Sequence, residues 1–132
     1  WEEGLSASLQ CGLRALLDSP EAARLENVLT LLGDMPLVRQ ETLALLCTAH
    51  HEARAGNPKH AATVPLYQGR RGNPVVLSRL IIPRLFDLSG DVGARALLTE
   101  FARHVAFLPV DDHGVLFDVD CPEDYAALAA EG

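Results

Sequence analysis

The stretch Asn27-Val28-Leu29-Thr30-Leu31-Leu32-Gly33-Asp34-Met35-Pro36 decides the fold. Its mostly apolar run, without polar alternation, reads as a strand buried on both faces, the pattern of a sheet covered by helices on either side. Gly33 ends the run, so Asp34 stands just past a strand, where open α/β sheets hold their ligands. Leu43, Leu45, Leu46 and Ala49 then recur at helical spacing between Val38 and Ala55, and Gly56-Asn57-Pro58 stops that helix. A helix directly after a buried strand implies a parallel crossover.

Upstream, Leu9, Leu13, Leu16 and Leu17 mark an opening helix from Ser6 to Leu17, with Ser6 or Ser8 as its N-cap, and Pro20 to Glu26 forms a polar connection. Downstream, Ala62-Thr63-Val64-Pro65-Leu66-Tyr67 is a strand that Pro65 moves towards a sheet edge. Gly69-Arg70-Arg71-Gly72-Asn73-Pro74 is a turn-rich loop leading into Val75-Val76-Leu77. Helical segments follow over Ser78 to Asp87 and Val92 to Arg103, the second N-capped by Asp91. Val105 to Val110 and Val115 to Val119 predict a hairpin across Asp111-Asp112-His113-Gly114. Pro122, followed by Glu123 and Asp124, opens a last helix with an acidic first turn. The alternation predicts a single domain over residues 1–132, a three-layer α/β/α arrangement about a mostly parallel sheet with a late hairpin.

A 132-residue chain that is 48% hydrophobic and 22% charged has the composition of a soluble globular domain, and no apolar stretch reaches the length of a membrane span. The net charge of −7 repels phosphodiester backbones, which argues against nucleic acid as a partner. Cys11, Cys47 and Cys121 are odd in number and widely spaced, the usage of reduced thiols in a cytoplasmic protein. The chain opens on Trp1 without a basic segment followed by an apolar one, so no signal peptide is expected, and it reads as material cut from something longer. The pair His50-His51 has no carboxylate or cysteine at zinc spacing and is read as structural or solvated, on an exposed or partly exposed part of its helix.

A second acidic cluster, Asp118-Val119-Asp120-Cys121-Pro122-Glu123-Asp124, follows the second apolar run of the expected hairpin. Mg²⁺ takes hard oxygen ligands, commonly one or two carboxylates with water and phosphate oxygens completing the shell. Asp34 and Asp120 could supply that pair. Two carboxylates about 4 Å apart repel by roughly 4 kcal/mol at an effective dielectric of 20, so their convergence calls for a cation. Each acid also has a plainer reading: Asp34 as a turn residue after Gly33, Asp120 as a helix N-cap, Asp118 as a solvated strand residue.

Five motifs occur in order along the chain: Gly4-Leu5-Ser6-Ala7-Ser8-Leu9 with Gly12-Leu13, Leu32-Gly33-Asp34-Met35-Pro36-Leu37, Gly69-Arg70-Arg71-Gly72-Asn73-Pro74-Val75, Gly90-Asp91-Val92-Gly93-Ala94-Arg95, and Asp118-Val119-Asp120-Cys121-Pro122-Glu123-Asp124-Tyr125. In these the chain resembles the MobA-like NTP transferases, and most closely their molybdenum-cofactor cytidylyltransferase branch. The resemblance implies a Rossmann-like nucleotidyltransferase domain that moves a nucleotidyl group from an NTP to a phosphorylated acceptor, with release of pyrophosphate. It implies Mg²⁺ on Asp34 and Asp120, with Asp118 as a neighbour, and the base or ribose beside Ser6 and Ser8. It sets Arg70, Arg71 and Asn73 facing the acceptor, although the family often has His where Asn73 stands. Asp91 and Arg95 fall near the acceptor side.

The branch makes CTP the nucleotide and molybdopterin the acceptor, with self-association or delivery to a molybdoenzyme as further partners. Relatives begin with a strand and a Gly-rich loop ending in Arg and Lys that hold the triphosphate. Nothing of that kind stands before Trp1, so the chain is expected to be the N-terminally incomplete, C-terminal part of such a domain. By itself it is then a poor catalyst, because positioning and charge neutralisation carry most of the rate in such chemistry. An uncovered sheet edge or face is expected in consequence. A sugar-nucleotide or other small-phosphate nucleotidyltransferase, or a noncatalytic nucleotide- or cofactor-binding module, are the alternative readings.

Overall fold

The computed structural model describes residues 2–31, 35–87 and 95–116, with only the helical backbone at 2–6 and 95–96. The elements are α1 (Glu2–Leu17), β1 (Asn27–Thr30), α2 (Gln40–Gly56), β2 (Ala62–Tyr67), β3 (Arg70–Arg71), β4 (Val75–Ser78), α3 (Ile82–Leu85), α4 (Arg95–Glu100) and β5 (Val105–Pro109). Short 3₁₀ turns join them at Ala22–Arg24, Arg79–Ile81, Ala102–His104 and His113–Leu116. No helix among the described residues is long and apolar enough to cross a membrane.

The expected α/β/α layering is present. On one face of the sheet Ala62, Val64, Val75 and Leu77 form a buried cluster with Leu13 of α1, Ile82 and Leu85 of α3 and Leu97 of α4. The Gln10 side-chain amide donates to the Leu85 carbonyl at 3.0 Å, tying α1 to α3. On the other face lies α2, whose Thr42, Leu46 and His50 are buried. Alternation along β2 and β4 sends successive side chains to the two faces, and all four residues of β4 are buried.

The strand directions correct the expectation of a mostly parallel sheet. β4 lies between β1 and β2 and is antiparallel to both, and among the described residues only β2 and β5 pair in parallel. β1, β2 and β5 nevertheless run the same way, with β3 and β4 reversed. β2 and β3 form a hairpin whose turn residues Gln68 and Gly69 both have positive φ, 51° and 78°. That combination suits the twist of a two-residue hairpin, and glycine accepts it without strain. β3 and β4 line the same side of β2, separated by the interruption Gly72–Pro74. Pro65 is therefore central, not at an edge. Its carbonyl accepts from Gly72 N–H at 2.9 Å, so its missing N–H faces the break in the ladder, where no donor is required.

Other boundaries also differ. The residues of β1 are half-buried and not covered on both faces. The expected hairpin partner from Val115 is a 3₁₀ turn at His113–Leu116, and residues 117–119 lie outside the described residues. The inward stripe of α2 is Thr42, Leu46 and His50, whereas Leu45 is 56% exposed.

His50 is the clearest departure, since its side chain is buried at 1% exposure. Its Nε2 meets Asn27 Oδ1 at 2.9 Å and Ser78 Oγ at 3.0 Å, and its Nδ1 meets Thr63 Oγ1 at 2.9 Å. Ser78 Oγ donates to the His60 carbonyl, and His60 Nε2 meets Thr63 Oγ1 at 2.9 Å. One set of protons satisfies this network. His60 Nε2–H donates to Thr63, the Thr63 hydroxyl donates to His50 Nδ1, and His50 Nε2–H donates to Asn27 and Ser78. A proton on Nδ1 would take the Thr63 hydroxyl oxygen as its acceptor and leave the Thr63 hydroxyl proton without the partner it has in this arrangement, so the network favours the neutral ring. Burial first, then the charges of His60, Arg54 and His51, push the His50 pKa down to about 4. Burial, with Arg54 and His104, lowers that of His60 as well.

Between pH 6.5 and about 4 an unfolded chain therefore takes up a proton that folded His50 refuses. The stability is complete above pH 6.5 and falls as the pH drops through that window, by about 3 kcal/mol for this one group. Urea midpoints at pH 7.5 and 4.5 measure it, and equal midpoints would contradict the buried neutral network.

Candidate functional site

β1, β2 and β5 deliver their carboxyl ends to one edge of the sheet, and the segments named by the sequence leave from that edge. Asp34, Asp118, Asp120 and Asp91 lie outside the described residues, but the chain on either side of Asp34 is placed, as is the chain up to Leu116 ahead of Asp118 and Asp120. Met35, directly after Asp34, is 5% exposed. The segment it opens runs into α2 against the loop after β5. Gly114 lies so close to that segment that a Cβ there would stand 2.3 Å from the Leu37 carbonyl oxygen. A side chain at 114 would force the two loops apart.

Asp112 holds them together. One of its carboxylate oxygens accepts from Arg39 N–H at 3.0 Å and from the Thr42 hydroxyl at 2.6 Å. The other accepts from Gly114 N–H at 2.9 Å, and the Arg39 side chain stands 3.8 Å away. Arg39, at the N-cap of α2, makes no side-chain cap of its own, so a carboxylate from far along the chain satisfies the first turn of that helix. Burial of Asp112 raises its pKa, but the bonds from Arg39 N–H, Thr42 and Gly114 N–H and the Arg39 charge outweigh it and hold the carboxyl below its ordinary range. Sequence reading treated Asp112 as a turn residue. The available signal was the Asp-x-Gly spacing of a side-chain-to-backbone turn, together with a long helix lacking a capping side chain at Arg39.

Arg70 and Arg71 form β3, both exposed, opposite Tyr67 and Leu66 at the carboxyl end of β2. The Arg71 guanidinium stacks over the Phe107 ring of β5, 5.0 Å from its centroid. Asn73 is half-buried in the interruption that follows, and its N–H donates to the Val115 carbonyl at 2.9 Å. Gly72 allows this approach, since a Cβ there would stand 2.4 Å from the same oxygen. The sheet edge thus gathers the arginines, Asn73 and the 112–115 loop. Ser8 is exposed on α1, and the backbone of Ser6 belongs to the same helix. Cys11 and Cys47 are free and exposed.

Among the described residues no group of three His, Cys, Asp or Glu side chains could hold a metal ion. The metal reading therefore rests on Asp34, Asp118 and Asp120, whose hard oxygen donors fit Mg²⁺ or Mn²⁺ in kind.

The sequence model of the MobA-like NTP transferase domain matches residues 1–107. No curated protein matches the chain. Among solved structures, Rv0371c from Mycobacterium tuberculosis H37Rv is 31% identical with a TM-score of 0.74, over 95% of this chain and 59% of that one. Its homolog from Mycobacterium sp. strain JC1 is 30% identical with a TM-score of 0.69, over 97% and 58%. Rv0371c in complex with manganese gives 30% and 0.69, over 92% and 58%. The chain thus spans less than two thirds of the length of these relatives.

Proposed function

The chain belongs to the family of MobA-like NTP transferase domains, and on that footing we propose that it serves nucleotidyl transfer from an NTP to a phosphorylated small molecule. The observation that carries this reading is the carboxyl edge of β1, β2 and β5. There Asp112 ties the segment following Asp34 to the loop that leads towards Asp118 and Asp120.

In this reading Asp34 and Asp120, with Asp118 beside them, hold a divalent cation, with Mg²⁺ as the physiological ion. When bound, such a cation neutralises charge developing on the phosphates and orients the pyrophosphate. Rv0371c in complex with manganese supports a divalent cation on this fold. Ser6 and Ser8 bond the base or ribose. Arg70 and Arg71 hold the acceptor phosphate by charge-assisted hydrogen bonds, and the exposed position of β3 leaves both guanidinium groups accessible to it. Asn73, where the family often has His, offers an amide and not an imidazole, so it positions the acceptor without exchanging a proton.

An acceptor phosphate oxygen attacks the α-phosphorus, the bond from that phosphorus to the bridging oxygen breaks, and pyrophosphate leaves with the electron pair. The branch that the motifs resemble makes CTP the donor and molybdopterin the acceptor, which sets the protein in the cytoplasm upstream of a molybdoenzyme. The outer edge of β1, which pairs only with β4 among the described residues, is where self-association would add a strand.

The full-length protein incubated with CTP, ATP or GTP, a divalent cation and molybdopterin tests the reading. Pyrophosphate released from CTP only when acceptor and cation are both present is the expected result. CTP binding without pyrophosphate from any pairing overturns it in favour of a noncatalytic module.

A further inference from the structure

At the opposite, amino-terminal edge of the sheet, a cleft of about 500 Å³ opens where β1 begins and α2 ends, lined in part by Glu26, Asn27, His51, Arg54, Arg79 and Leu80. Arg54 lines it, and its Nη1, shielded from solvent, has no hydrogen-bond partner among the described residues. Arg54 is the basic residue in the last turn of α2, a position that a cation favours, but the helix end does not use this donor. The helix end is already served by the Asn57 N–H, which donates to the Ala53 carbonyl at 2.9 Å. Buried donors are paired in the great majority of proteins, so an orphan lining an open cleft marks where an acceptor from outside fits.

Arg79 supplies a second fixed cation. Its Nη1 donates to the carbonyls of Ala22 and Leu25, which hold the guanidinium in place without neutralising it. Among the described residues no carboxylate lies within ion-pair distance of Arg54 or Arg79. Among the described residues Glu26 is the one acid in the lining, against Arg54 and Arg79, in a chain whose net charge is −7.

We propose that this cleft binds a small oxoanion, phosphate or carboxylate, through Arg54 and Arg79, at a site separated from the carboxyl edge by the length of the sheet. A small turn of the Arg54 side chain brings its orphaned Nη1 proton to an oxygen of the ligand, and the immobilised Arg79 guanidinium bonds a second oxygen. A guanidinium fixed in advance, as that of Arg79 is, suits an oxoanion because little side-chain freedom remains to be lost on binding. Asn27 and His51 add polar contacts at the wall, and Glu26 opposes the ligand.

Titrating inorganic phosphate, and acetate separately, into the full-length protein at constant ionic strength tests this by thermal midpoint and calorimetry. The expected result is saturable stabilisation by one or both oxoanions, kept in Asp34→Asn, where the carboxyl-edge site is altered. Arg54→Met should weaken it by at least about tenfold while lowering the midpoint in anion-free buffer only slightly, through the lost helix-end charge, because the Nη1 donor it removes has no partner among the described residues. Arg79→Met should weaken it too, and Glu26→Gln should tighten it. Affinity unchanged in both arginine variants, or no saturable binding of either anion, overturns the proposal.

Discussion

Asp34→Asn is expected to lower nucleotidyl transfer by at least about a hundredfold, since a carboxylate on a catalytic cation supplies several kcal/mol to a charged transition state. The amide keeps the size of the side chain and the local turn chemistry that Asp and Asn share. If Asp34 only shaped the turn after Gly33, activity would survive the change. The readout is the initial rate of pyrophosphate release at saturating CTP, with the urea midpoint measured alongside. A rate loss at an unchanged midpoint, partly relieved at high cation concentration, is the outcome expected of a metal ligand. A near-normal rate sinks the assignment. Asp120→Asn should behave in the same way and Asp118→Asn more mildly.

What the sequence made legible follows the reach of each signal. Local patterning located β1 from Asn27, β2 at Ala62–Tyr67 and the end of α2 at Gly56, because apolar runs and breakers act within a few residues. Strand direction was not legible. The buried run Val75–Ser78 has the composition of a parallel strand, yet it pairs antiparallel to both neighbours. Burial on both faces comes from helices above and below and carries no information on direction. The inner face of α2 was misread for a related reason. Hydrophobicity favours Leu45, but the sheet beneath offers Asn27, Thr63 and Ser78 to His50 and the loop after β5 offers Asp112 to Thr42, so these two polar residues turn inward with Leu46. The arginines of β3 were legible as a turn-borne basic pair, and the structure carries them to the carboxyl edge. Asp112 was not, since its partners Arg39 and Thr42 precede it by 73 and 70 residues.

Asp112→Ala is expected to cost about 3 kcal/mol of folding stability and to impair transfer as well. The substitution strands the Arg39 N–H, the Thr42 hydroxyl and the Gly114 N–H at a site that is 3% exposed, and each unsatisfied buried donor costs about 1–3 kcal/mol. The Arg39 side chain adds little, being 58% exposed at 3.8 Å. The pH dependence separates this effect from that of His50. The folded Asp112 carboxyl lies below its ordinary 3.8, so its stabilisation is complete above that value and is lost as the pH falls through the folded pKa. Asp112→Ala should therefore lower the urea midpoint by a similar amount at pH 7.5 and 4.5, leaving the slope between them to the histidines. Asp112→Asn keeps the side-chain carbonyl as an acceptor for one loop but sets an NH₂ donor against the remaining N–H or O–H groups, and should lose an intermediate amount. Because the carboxylate binds the segment following Asp34 to the loop leading to Asp120, both variants should raise the cation concentration needed for half-maximal rate. A stability loss with unchanged cation dependence would make Asp112 a helix cap alone and detach it from the site.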